Sequence, residues 1–280
     1  DNRAGMISAV QQAVIVANTA LHNSRIADTG SLIEATDLTI TTPILDNSHT
    51  KATTEKPAQG LMAGRLTLHG DSLNNQAGGI YANTALSANI QHDMDNRHGE
   101  VLSLGSLALQ GATLALNNQD GKLESHQQLN LDLDRFIDEG SIKTSGDATI
   151  RLKQDLTLNR AFQVDGTLDL TTLGNFYNRT QLVTGKGLRV KANTIENPLN
   201  SELSAENTAI EANHLTNRGL IDGVSNVIKV GALDNLGTGR IYGDHLAIQA
   251  DNLRNDQETV NGETKSATIA ARARLELGVG

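Results

Sequence analysis

Apolar and polar positions recur along this chain with a beat of about twenty residues. The sequence apolar, any residue, asparagine returns at Leu21/Asn23, Leu45/Asn47, Leu73/Asn75, Met94/Asn96, Leu116/Asn118, Phe176/Asn178, Ile195/Asn197, Leu215/Asn217, Leu233/Asn235 and Leu253/Asn255. Between Asn118 and Asn178 the same beat falls on Phe136/Asp138 and on Thr157/Asn159. Repeats of this period mark a chain built from small units that bury their apolar side only by stacking on their neighbours.

Within each repeat the pattern is finer. Soon after many of the asparagines comes a glycine (Gly78, Gly99, Gly121, Gly140, Gly219, Gly237), read as a tight turn with positive φ. An apolar starter follows, as at Leu61, Ile80, Val101, Leu123, Ile142, Phe162, Leu182, Leu203, Ile221 and Ile241. About six residues later comes an apolar pair at period two: Leu66/Leu68, Leu86/Ala88, Leu107/Leu109, Leu129/Leu131, Leu168/Leu170, Leu188/Val190, Ile228/Val230 and Leu246/Ile248. Period two is a strand with one buried face, so a repeat holds three short strand pieces separated by polar turns. Helical repeats are excluded by that alternation and by their longer periods.

Five or so inward aliphatics cannot offset the backbone entropy of ordering one repeat, so a single turn of chain does not stand alone. Stacking lets each strand bond to those above and below it and merges the apolar faces. The pattern therefore predicts an all-β fold, a parallel β-helix (β-solenoid) of about twelve rungs with roughly 20-residue repeats. Residues 1–280 read as one β-helix repeat domain, with polar loop insertions near 48–60 ("SHTKATTEKPAQG") and 256–267 ("DQETVNGETKSA"). Alternation resumes after the second at Ile269, Leu275 and Leu277. Aligned asparagines in such a stack are expected to form an amide ladder of Asn23, Asn47, Asn75, Asn96, Asn118, Asn159, Asn178, Asn197, Asn217, Asn235 and Asn255.

Composition narrows the chemistry. Aromatics are 2% of the chain, which suits a narrow interior of similar aliphatic layers and leaves no platform for stacking sugars. Lys plus Arg number 23 against 32 Asp plus Glu, a net charge of −9, and no basic run occurs, which argues against nucleic acid or an anionic membrane as partner. Without cysteine there is neither a disulfide nor a thiolate metal site. "HDMDNRH" gathers His92, Asp93, Asp95 and His98, where solvated turn residues are expected ahead of a surface metal site. "LDLDRF" places Asp132 and Asp134 as a carboxylate pair of the kind that cleaves glycosidic bonds, with few accompanying carboxylates. No nucleotide-binding, zinc-protease or nucleophile-elbow motif is present, so no enzyme activity, cofactor or small-molecule substrate is expected.

Written as starter, Gly, L-x-L, then L-x-N-x-x-G, the repeat resembles the filamentous-haemagglutinin repeats of bacterial two-partner secretion exoproteins. "GRIYGDHLAIQADNLRN" (239–255) and "TIAARARLELGVG" (268–280) are most similar to the contact-dependent growth inhibition effectors of the CdiA type. The resemblance implies a right-handed coil, export through an outer-membrane two-partner secretion transporter, and a secreted, cell-surface location on a Gram-negative bacterium. It implies an interior filament segment, monomeric, that holds receptor-binding and toxin regions toward neighbouring bacteria. The alternative is a receptor-binding segment or adhesin contacting an outer-membrane protein or host surface; a polysaccharide-degrading β-helix is the remote third.

Overall fold

The computed structural model describes residues 1–27, 29–52 and 59–280. Among them every regular element is a strand, and the chain winds as a parallel β-solenoid of about twelve turns spaced some 20 residues apart. The described residues form two compact units, 1–146 and 147–280.

In the first unit each turn lays strand pieces in register on the turn before. One inward column runs Ile33, Leu61, Ile80, Val101, Leu123, Ile142. A second runs Leu38, Leu66, Leu86, Leu107, Leu129, and a third Leu21, Leu45, Leu73, Met94, Leu116, Phe136. Apart from Phe136, which is half-buried, all of these are nearly inaccessible to solvent. A one-residue slip would turn a whole strand's aliphatics outward, so the columns hold the register.

The second unit repeats the plan with Leu182, Leu203, Ile221, Ile241, Ile269 in one column and Ile150, Leu170, Val190, Ile210, Ile228, Ile248, Leu277 in another. Its last strands, Glu202–Asn217, Leu220–Leu236 and Arg240–Val260, run through the corners without a break, as Gly60–Asn74 and Gly79–Asp95 do in the first unit. One column, Leu168, Leu188, Thr208, Asn226, Leu246, turns polar at two steps. Asn226 is buried there and donates to the Tyr242 carbonyl, while its Oδ1 has no partner among the described residues.

The turns differ from expectation in one respect. Left-handed φ falls mostly on the residue before the glycine, at Ala77, His98 and Asp120, and on the glycine itself only at Gly140 and Gly237. Gly99 and Gly121 are needed for a different reason. A Cβ on Gly99 would lie 2.2 Å from the Asn75 carbonyl oxygen and 2.5 Å from Asn96 Oδ1, and on Gly121 at 2.1 and 2.5 Å from the matching atoms one turn on. Close approach, not backbone handedness, selects glycine at these two corners.

The first insertion, near 48–60, lies partly outside the described residues. Its opening is part of the stack: Thr50 is buried and bridges turns, donating from Oγ1 to Asn47 O at 2.7 Å and accepting from Gly79 N at 3.2 Å. The second, 256–267, is an ordered antiparallel hairpin that pairs Gln257 with Ser266 and Val260 with Glu263 around Asn261 and Gly262. Asparagine followed by glycine at two positive φ values makes the tight turn that strand twist prefers.

Candidate functional site

The most ordered polar feature is the asparagine column at one corner of each unit. It forms because the apolar, any, asparagine triplet turns both its first and its third side chain inward, and the next turn of chain lays another asparagine over the first. In the first unit each Nδ2 donates to the next Oδ1: Asn2 to Asn23 at 2.7 Å, Asn23 to Asn47 at 2.8 Å, Asn47 to Asn75 at 2.8 Å, Asn75 to Asn96 at 2.7 Å and Asn96 to Asn118 at 2.6 Å. Asn118 closes the series on the Glu139 carbonyl at 2.8 Å. In the second unit the steps are Asn178 to Asn197 at 2.9 Å, Asn197 to Asn217 and Asn217 to Asn235 at 2.8 Å, and Asn235 to Asn255 at 2.7 Å.

From Asn23 to Asn118 and from Asn178 to Asn235 these side chains have no solvent exposure, while Asn255 is exposed. A second amide hydrogen reaches a turn carbonyl in several copies, as from Asn47 to Gly79 O at 2.9 Å and from Asn178 to Glu202 O at 2.9 Å. A primary amide offers two donors and an acceptor, which is what a buried corner between a neighbour above, a neighbour below and a bare carbonyl requires. Neutral amides so engaged neither transfer protons nor bind metal strongly. Their work is to hold the turns in line.

Asn159 does not belong to the column. The backbone register sets Leu158, which is buried, opposite Asn178, and Asn159 is exposed. The triplet at this turn is Leu156, Thr157, Leu158, so counting from Thr157 places the asparagine one residue too far along. Asp138 is likewise off the column, standing level with Asn117.

That offset reveals a second column one residue before the ladder, made of Asp46, Asn74, Asp95, Asn117 and Asp138. Each side-chain oxygen accepts the backbone N–H two residues on: Ser48 at 3.2 Å, Gln76 at 3.1 Å, Arg97 at 3.0 Å, Gln119 at 3.3 Å and Gly140 at 2.8 Å. Carboxylate alternates with amide, so no two charges are adjacent. Burial alone would raise the Asp95 and Asp46 carboxyls. The hydrogen bonds from Arg97 and its charge outweigh this at Asp95, and those from Ser48, Ser24 and His22 outweigh it at Asp46, so both titrate below the ordinary range.

Of the residues singled out for chemistry, His92, Asp95 and Asp134 are engaged elsewhere. His92 Nδ1 meets Thr113 Oγ1 at 2.8 Å, Asp95 holds Arg97 in a two-pronged pair as close as 2.6 Å, and His98 occupies a left-handed turn. Among the described residues no three acidic, histidine or cysteine groups are placed to share a metal ion. Asp132 is exposed and sits level with Gln110, whereas Asp134, beyond the strand end, accepts from Arg135 at 3.1 Å.

Three further features escaped the pattern of the sequence. Glu124, 8% exposed on an outward face, is held by Lys122 at 2.6 Å, His126 at 3.4 Å and Lys143 at 3.8 Å. The hydrogen bond from Lys122 is the main reason its carboxyl titrates low. Glu100 extends the network to Lys122 at 3.4 Å and to the Tyr81 hydroxyl at 3.2 Å; burial, then the Glu100 charge, push that phenol up to about 12. An exposed amide row also runs from Asn213 through Asn193 and Asn175 to Asp155, at 2.9, 3.0 and 3.4 Å. Finally, Arg218 clamps Glu258 at 2.7 and 2.8 Å, fixing the hairpin against the corner of the second unit above a groove of about 670 Å³ walled by Pro198, Leu199, Thr238 and Val260.

No protein-family model and no solved structure matches the chain. A stretch of 192 residues, 68% of the chain, is 28% identical to the tRNA nuclease CdiA of Escherichia coli strain STEC_O31. It corresponds to 5% of that protein.

Proposed function

We propose that this chain is a structural repeat segment of a secreted cell-surface filament that presents receptor-binding and toxin regions to neighbouring bacteria, as in contact-dependent growth inhibition. The observation that carries the reading is the unbroken run of buried asparagines within each unit, which puts the chain's most elaborate polar chemistry to work on lining up successive turns. Similarity to a CdiA protein supports it. A solenoid of this kind lengthens without changing its cross-section, which suits a spacer. The reading includes export through an outer-membrane transporter of the two-partner class and no enzymatic role for the segment itself.

The test removes one whole turn. Deleting residues 76–96 joins Asn75 to Arg97 and keeps every column in step. In an exoprotein carrying the segment, we expect normal export, target-cell attachment and toxin delivery. Loss of folding in the remaining chain would refute the stacked-spacer reading, and selective loss of attachment would favour a receptor-binding segment. The hairpin at Gln257–Ser266 is the feature that supports this second reading, because it stands outside the repeat and carries an exposed aliphatic, Val260. Replacing 257–266 by a short Gly-Ser link is expected to leave attachment intact if the segment is a spacer.

A further inference from the structure

The hairpin turn carries the chain's single asparagine followed by glycine, Asn261–Gly262. We propose that Asn261 is a site of spontaneous modification, where the side-chain amide is lost and the turn ages to aspartate and isoaspartate. The backbone nitrogen of Gly262, once deprotonated, attacks Cγ of Asn261. The Cγ–Nδ2 bond breaks, ammonia leaves with the proton, and a five-membered succinimide forms. Water then adds to either ring carbonyl, giving aspartate or isoaspartate; the net change is amide plus water to acid plus ammonia, with no oxidant or reductant.

Three observations place this chemistry at Asn261. The attacking nitrogen is unencumbered: among the described residues nothing lies within 4 Å of where a Gly262 side chain would begin, and no backbone carbonyl takes its N–H. Asn261 is exposed, at the tip of a hairpin of four residue pairs. A two-stranded ribbon of that length is marginal alone, so the tip opens more readily than any stacked turn.

The other asparagines show what blocks the reaction. Those of the ladder from Asn23 to Asn118 and from Asn178 to Asn235 are buried with their side-chain amides hydrogen-bonded along the column, and cannot swing Cγ onto the backbone. Asn197 is followed by Pro198, which has no N–H to lose. Asn200 is the fair comparison, since it is also exposed and left-handed (φ 67). Its neighbour is Ser201, however, whose N–H is held by the Pro198 carbonyl at 3.1 Å.

Conversion has a local consequence. An aspartate adds a negative charge to a ribbon already bearing Glu258 and Glu263, and isoaspartate inserts one more carbon into a two-residue turn whose closure depends on its length. Either change weakens the ribbon that Arg218 anchors.

The experiment holds the folded 280-residue chain in mildly alkaline buffer and follows each asparagine by peptide mapping and mass spectrometry. Asn261 is expected to convert roughly fivefold faster than Asn200, the scale of freedom that a glycine in place of a side-chain-bearing residue gives the attacking nitrogen. Gly262→Ala is expected to slow it to the Asn200 rate while the column asparagines stay intact in both proteins. Equal rates at Asn261 and Asn200 would overturn the proposal. So would an Asn261 that converts in denatured chain and not in folded chain, because the turn would then be protective.

Discussion

Asn75 and Asn96, 21 residues apart in sequence, share a hydrogen bond of 2.7 Å from Nδ2 to Oδ1 in a corner that solvent does not reach. Replacing Asn75 by alanine leaves the Asn47 donor and the Asn96 acceptor without that partner, and each buried polar group so abandoned costs about 1–3 kcal/mol. Asn75→Asp is expected to be worse: the carboxylate has no hydrogen to give Asn96 and brings an unpaired charge into a closed site. Denaturant unfolding is expected to rank the proteins native, Asn75→Ala, Asn75→Asp in falling midpoint. An aspartate as tolerated as alanine would show the corner to be wet.

The alternation Asp46, Asn74, Asp95 is expected to matter electrostatically. Asn74→Asp sets three carboxylates in a row at a spacing of about 4.8 Å and removes the amide that donates to Asp46 at 3.1 Å. Like charges directly opposite one another destabilise, so the substitution is expected to cost on the order of 1 kcal/mol near neutral pH. The loss should shrink as acid protonates the row. A penalty independent of pH would point to the lost hydrogen bond alone.

Glu124 makes stability depend on acidity. Its folded carboxyl titrates below the ordinary value, chiefly through the Lys122 hydrogen bond, so the stabilisation is complete above the unfolded carboxyl value of about 4.3 and is lost as pH falls through the lower, folded value. Glu124→Gln is expected to flatten that part of the profile of unfolding midpoint against pH. An unchanged slope would mean that other carboxylates dominate it.

Two of the expected ladder positions, Asn159 and Asn178, separate cleanly. Asn159→Ala, at an exposed site, is expected to shift the unfolding midpoint little, within the range usual for surface changes of about 0.5 kcal/mol. Asn178→Ala empties the first member of the second column, which donates at 2.9 Å both to Asn197 and to the Glu202 carbonyl, and is expected to cost several times more. Equal effects would put Asn159 back in a structural role.

Much of this architecture is legible in the sequence because two periods coincide. Alternation at two places Leu66 and Leu68, or Leu246 and Ile248, on one face, and recurrence near twenty lays them over one another; these side chains are indeed almost wholly buried. The asparagine motif is legible wherever its apolar partner is clear, as at Leu73 or Leu233. It fails where the repeat degenerates, because Thr157 and Leu156 both look like acceptable starters and only the backbone register decides between them. Asn2 is missed because the triplet that announces the beat cannot be read across Asp1 and Asn2 alone. The Glu124 network and the Arg218 clamp on Glu258 join residues up to 40 positions apart through outward-facing side chains, which carry no periodic signal. The ordered hairpin is the opposite case: "VNGE" is a local turn signal, hidden by the polarity of its flanks.

The asparagine columns also have a direction. At every step the nitrogen belongs to the earlier turn and the oxygen to the later one, so the amide dipoles of a column point the same way, as peptide dipoles do in an α-helix. Bonds in such a series polarise one another, each strengthening the next. A column is therefore an oriented electrical element whose first member turns an oxygen outward along the axis and whose last turns a hydrogen, and running the same side chains in the reverse order would not be equivalent.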